Sequence, residues 1–150
     1  MRRRCDAGGE GVLPMRKLES KRRLAWLMVA FFCLAIFIQS ALPSPDIGPS
    51  FPMKDKALHA LVYGLLAVLF LRACRLSKPD WRGPLLLVAG TAFASLYGLS
   101  DEIHQAFVAA RQADPFDLLA DGIGGFLGSA AYLAVVLRGT ASTAATATDF

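Results

Sequence analysis

The chain has 150 residues, 55% of them hydrophobic and only 19% charged, and its mean hydropathy is positive. That balance excludes an ordinary water-soluble domain and fits one small membrane-embedded unit. The net charge of +4 does not signal nucleic acid, because Lys and Arg gather beside the apolar runs, where they orient a membrane protein. Cys5, Cys33 and Cys74, odd in number and unrelated in spacing, offer neither a disulfide framework nor a metal knuckle.

Residues 1–23 carry Arg2, Arg3, Arg4, Arg16, Lys17, Lys21, Arg22 and Arg23 against Asp6, Glu10 and Glu19. They read as a basic cytoplasmic tail, disordered in the Gly-rich early part. The apolar run from Leu24 to Leu42 follows. As a helix it reaches about 28 Å, one hydrocarbon thickness. Basic residues before an apolar stretch also describe a signal peptide. Gln39 suits no cleavage after Ala41, however, and the run is long for a signal's apolar core, so an uncleaved anchor is expected.

Pro43, Pro45, Gly48 and Pro49 force a non-helical loop before a second apolar run from Ala57 to about Cys74. Asp55, His59 and Tyr63 recur every fourth residue and form one stripe leading from water into the membrane. Ala60 and Gly64 invite close approach of a neighbouring helix. After a basic connection with Arg72, Arg75, Lys78 and Arg82, a third span runs from Pro84 to Ser100 and continues as helix through Gln105. Asp101 then shares a face with His104 and Gln105.

Residues 109–116 read as a turn, and the fourth span goes from Asp117 to about Leu137 with Asp117 as its N-cap. Asp121 lies one turn deeper on the same stripe, beside the face of Gly124, Gly125 and Gly128. That glycine face serves packing within the bundle or a homo-oligomer contact through Gly124 and Gly128. Residues 138–150 are expected to be a disordered C-terminal tail.

Of the 16 basic residues only Lys54, Lys56 and Arg111 fall in the first and third connections. The positive-inside rule therefore places both termini and the middle connection in the cytoplasm. The fold class is an all-α membrane protein, a four-transmembrane-helix bundle with N-in/C-in topology, and its polar residues converge at the outer end.

Ionisable groups carried toward mid-bilayer cost about 2.5 kcal/mol or more each, so this cluster calls for pairing or function. The set expected to line a ligand site is Asp55, His59, Tyr63, Asp101, Glu102, His104, Gln105, Arg111, Asp117 and Asp121. His59 and Glu102 are the candidates for acid–base chemistry. Arg111 either grips an anionic group through its planar fork or neutralises Glu102 and Asp117. No H-E-x-x-H spacing or cysteine ligand marks a metal, and no P-loop, G-x-G-x-x-G or hydrolase elbow marks a nucleotide or nucleophile, so no cofactor is expected.

Taken together, Asp55-Lys56-x-x-His59-x-x-x-Tyr63, Ser100-Asp101-Glu102-Ile103-His104-Gln105-x-Phe107-Val108 with Arg111, and Asp117-x-x-x-Asp121 with Gly125-x-x-Gly128 resemble the VanZ-like family of small bacterial membrane proteins. The resemblance covers residues 24–137. It implies a multi-pass protein of the bacterial inner membrane, with membrane lipids and a lipid-linked or peptidoglycan-derived envelope component as partners. The founding member is associated with lowered susceptibility to the glycopeptide teicoplanin, which implies an antibiotic-resistance connection in the cell envelope. An integral membrane enzyme acting on a phosphorylated lipid is the alternative. This sequence departs from the family where Val108-Ala109-Ala110-Arg111 replaces a common Val-Pro-Gly-Arg turn and where Asp121 stands in place of a frequent Asn.

Overall fold

A computed structural model describes residues 12–42, 53–81, 83–109, 111 and 113–147, with side chains from 15 to 138 within those limits. The first eleven residues and the proline-rich first connection lie outside the described residues, and so do the expectations of a disordered early tail and a non-helical loop that fall on them. Among the described residues the structure is entirely helical: α1 (Val12–Ser40), α2 (Lys54–Ser77), α3 (Gly83–Gln105) and α4 (Pro115–Ala147). Each holds a stretch long and apolar enough to cross a membrane, namely Met15–Ser40, Lys54–Ser77, Gly83–Gln105 and Pro115–Arg138.

Three boundaries differ from the sequence expectation. α1 begins within the basic tail, whose Arg, Lys, Leu and Glu residues are good helix formers, and Pro14 falls in its first turn, where no N–H is needed. α4 begins at Pro115, because Asp114 and not Asp117 is the capping residue: Asp114 Oδ1 accepts from the Phe116 N–H at 2.9 Å. Pro115 takes the first helical position with its φ already set. α4 also continues through the expected disordered tail to Ala147, as alanine's high helix propensity favours.

α2 is the central element. It packs against α4, α3 and α1, whereas α1 rests on α2 and less extensively on α3 and does not pack against α4. The α2–α4 seam is made by missing side chains. A Cβ on Gly124 would lie 2.6 Å from Ala60 Cα, and one on Gly128 would lie 2.8 Å from Gly64 Cα. The backbones therefore meet directly, and the Gly124/Gly128 face is filled within the chain. α3 closes on α4 in the same way, with Gly98 against the Asp121 side chain and Gly125 against the Ala94 methyl.

α1 is attached through side chains instead. Ala25, Val29 and Ile36 are buried against the bundle, Trp26 meets Phe70 edge-on, and the Tyr97 hydroxyl donates to the Cys33 carbonyl at 2.6 Å. Its remaining faces, including Leu24, Leu27, Phe31 and Leu34, are exposed, which suits contact with lipid chains. Contacts between Trp26 and Ser77 at one end, and between Phe37 and His104 at the other, show α1 antiparallel to α2 and parallel to α3.

Candidate functional site

The start of α2, the end of α3 and the start of α4 meet at one end of the bundle, and the side chains of all three turn inward there. On α2 the residues one and two turns into the helix, His59 and Tyr63, are buried or nearly so. Asp55, which opens the stripe, stays outside with 59% of its side chain exposed. Lys56 turns toward α4, where its ammonium pairs with Asp114 and reaches Asp117 Oδ1 at 2.6 Å.

One turn deeper, His59 Nδ1 is hydrogen-bonded to Asp121 Oδ1 at 2.9 Å, and its Nε2 stands 3.9 Å from Asp117 Oδ2. The stripe of Asp117 and Asp121 on α4 thus faces the stripe of Lys56 and His59 on α2. The close glycine seam below makes that approach possible.

α3 supplies two separate arms. Glu102 Oε2 accepts from the Asp114 N–H at 2.8 Å and so ties the third connection to the end of α3. Asp101 points another way, as neighbours on a helix must. Its Oδ2 accepts from Gln105 Nε2 at 3.0 Å, and Gln105 Oε1 accepts from Arg111 Nε at 3.2 Å. The chain Asp101, Gln105, Arg111 thereby fixes the guanidinium at the mouth of the site. The Tyr63 hydroxyl is buried beside Asp101.

His104 departs from the rest of the expected set. Its ring stacks on Phe37 of α1 with centroids 4.3 Å apart, so the two histidines of the chain do not converge. Two groups outside the expected set belong to the cluster instead, Lys56 and Asp114. The Asp-Pro pair at 114–115 was the available signal, since an acid before a proline is a common helix start. Asp114 lies outside the spans, and the Lys56 ammonium beside it holds its carboxyl below the usual carboxylate range, helped by the Phe116 N–H.

Four carboxylates here, Asp101, Glu102, Asp117 and Asp121, are at least nine-tenths buried. One ligand atom each from His59, Glu102 and Asp121 lies within 4.8 Å of the others, and the same holds for Asp55, His59 and Asp117. Either trio is a donor set of one imidazole and two carboxylates.

Beside this cluster runs a groove of about 1390 Å³ between α1 and α4, floored by α2. Its body is apolar, with Phe32, Ile36, Leu119 and Ile123 among the walls, while Lys54, Asp55, Lys56, His59, Asp101 and Arg111 stand at its polar end. Those walls come from α1 and α4, the two helices that do not pack together.

Against known families, the model described as VanZ/LLP1 matches residues 22–138, a stretch that takes in the bulk of all four spans. No curated protein and no solved structure matches the chain.

Proposed function

The chain belongs to the VanZ/LLP1 family of multi-pass membrane proteins, and on that premise we propose that it binds an amphiphile of the cell envelope in the groove between α1 and α4. The observation that carries this reading is the groove's division. Apolar walls from α1 and α4 suit a long hydrocarbon tail, and the polar end, where Lys54, Lys56, His59 and Arg111 stand among Asp55 and Asp101, suits a polar head group whose anionic part would meet Arg111. A lipid-linked or peptidoglycan-derived intermediate has that form.

The distribution of basic residues supports an orientation with both termini in the cytoplasm, which turns the polar end outward from the bacterial inner membrane. Holding such an intermediate there would change how much of it glycopeptides of the teicoplanin type can reach, which connects the site to antibiotic susceptibility.

Native mass spectrometry of the protein in mild detergent tests the reading. The wild type is expected to carry an adduct with an acidic head and a long apolar chain. Ala35→Trp, which fills the groove from the exposed face of α1, and Arg111→Ala, which removes the charge at its polar end, are expected to lose it. An identical adduct pattern in all three proteins would sink the proposal.

A second reading rests on the His59–Asp121 pair. An imidazole held by a buried carboxylate is the arrangement of a general base, which supports a membrane enzyme acting on a phosphorylated lipid with His59 or Glu102 moving the proton. Turnover lost in His59→Ala with the adduct retained would favour it.

A further inference from the structure

Two carboxylate oxygens in the cluster are buried with nothing to bind. Asp121 Oδ2 and Glu102 Oε1 both lack a hydrogen-bond partner, on side chains whose residues are 0% and 6% exposed. Such orphaned acceptors are costly in any interior and more so where the surroundings are lipid.

The charge at this end of the bundle is also unbalanced. Among the described residues at this end, Asp55, Asp101, Glu102, Asp114, Asp117 and Asp121 face Lys54, Lys56 and Arg111 as the fixed cations. However these are paired, the ionised carboxylates outnumber the cations, and four of the six acids, Asp101, Glu102, Asp117 and Asp121, are buried.

Both deficits coincide with the trio of His59, Glu102 and Asp121, whose ligand atoms come from three different helices. We propose that this trio holds a divalent transition-metal ion. One ion bound by Glu102 Oε1 and the Asp121 carboxylate would offset most of the excess charge and give both under-partnered carboxylates a cation. His59 Nδ1 and Asp121 Oδ1 now share a hydrogen bond of 2.9 Å, and neighbouring ligands at bonds near 2.1 Å stand about 3.0 Å apart at right angles and about 3.4 Å apart in a tetrahedron, so exchanging the bonding proton for an ion asks for a movement of about half an ångström or less.

The surroundings are those of a supported site. The Asp114 N–H holds the far oxygen of Glu102 and so fixes that ligand's orientation, and Asp117 Oδ2 stands 3.9 Å from the second nitrogen of His59. One imidazole with two carboxylates suits Zn²⁺, Mn²⁺ or Fe²⁺ better than Mg²⁺ or Ca²⁺, which prefer oxygen alone. No short sequence spacing reveals the site, because each ligand sits on its own helix. The inference is independent of any amphiphile in the groove.

Full-length protein in detergent, stripped with chelator and reloaded with Zn²⁺ or Mn²⁺, tests it by metal content and by thermal midpoint. The wild type is expected to retain one equivalent of metal per chain and to gain a saturable rise in midpoint, with Mg²⁺ giving neither. Glu102→Gln and Asp121→Asn are each expected to weaken retention roughly tenfold or more. His104→Ala and Asp55→Asn are expected to leave it unchanged, the latter separating this trio from that of Asp55, His59 and Asp117.

Retention that survives Glu102→Gln and Asp121→Asn, or falls only in Asp55→Asn, would overturn the assignment. Should the ligand variants not fold, the wild-type titration decides alone. A midpoint indifferent to metal but responsive to pH would place a shared proton between Glu102 and Asp121 and remove the metal.

Discussion

The bundle is joined in two different ways. Along α2 and α4 the backbones touch through Gly124 and Gly128, and the same approach brings Lys56 to Asp114 and Asp117 and His59 to Asp121. Along α1 the joint is made by side chains, with rings and the hydroxyls of Tyr97 and Ser77 reaching across, and no charged pair is involved among the described residues. The contrast teaches that α2, α3 and α4 form one body whose packing and polar cluster share the same cause, while α1 is a wall laid against it. A change in the seam should therefore damage both stability and site. A change at α1 should alter the groove and spare the cluster.

The largest effect is expected from Gly128→Leu. Its side chain would have to displace the Gly64 backbone, which cannot yield as a flexible side chain does. Overpacking of this kind costs about 3 kcal/mol or more, enough to prevent assembly of the α2–α4 body. Thermal unfolding in detergent reads it, and a midpoint within a degree or two of wild type would refute the backbone-contact account.

A smaller effect is expected from Tyr97→Phe, which removes the hydroxyl's bond to the Cys33 carbonyl and keeps the ring. Cross-helix hydrogen bonds in bilayers are worth about 0.6 to 1.7 kcal/mol. The comparison is sharpened if cysteine cross-linking shows α1 loosened while metal retention at His59 stays as in wild type. Loss of retention would mean that α1 and the cluster are one unit after all.

The smallest effect concerns Asp114, at the aqueous edge. Its folded carboxyl titrates below its ordinary value of 3.8 because Lys56 favours the ionised form. A depressed value means that the folded state binds fewer protons than the unfolded one. The contribution is therefore complete above that ordinary value and is lost as pH falls through the lowered one. Asp114→Asn should flatten the acid limb of stability below about pH 4 and change little at neutral pH. An unchanged acid limb would show that Lys56 leans on Asp117 alone.

The sequence made the four spans legible because length and hydropathy decide them, and it made the stripes legible because 3.6 residues per turn puts His59 with Tyr63 and Asp117 with Asp121. It did not show which way each helix turns within the bundle. Asp55 belongs to the stripe by spacing yet stays exposed at the rim of the cluster, and His104 shares the end of α3 yet lies on Phe37 of α1. Rotation of one helix against another is set by which surfaces fit, here by glycines that admit a backbone, and no single helix contains that information. The expected cap at Asp117 failed for a local reason, since the acid before Pro115 competes better for the helix start.

Because α1 and α4 do not meet, no described residue walls the groove off between them on the side of the hydrocarbon. A molecule seated there would arrive sideways, by diffusion in the plane of the membrane, without leaving its leaflet. Its occupancy would then follow its mole fraction among lipids and not its concentration in water. A soluble head-group fragment would compete poorly for the place, since it brings no tail to cover Ile36, Leu119 and Ile123.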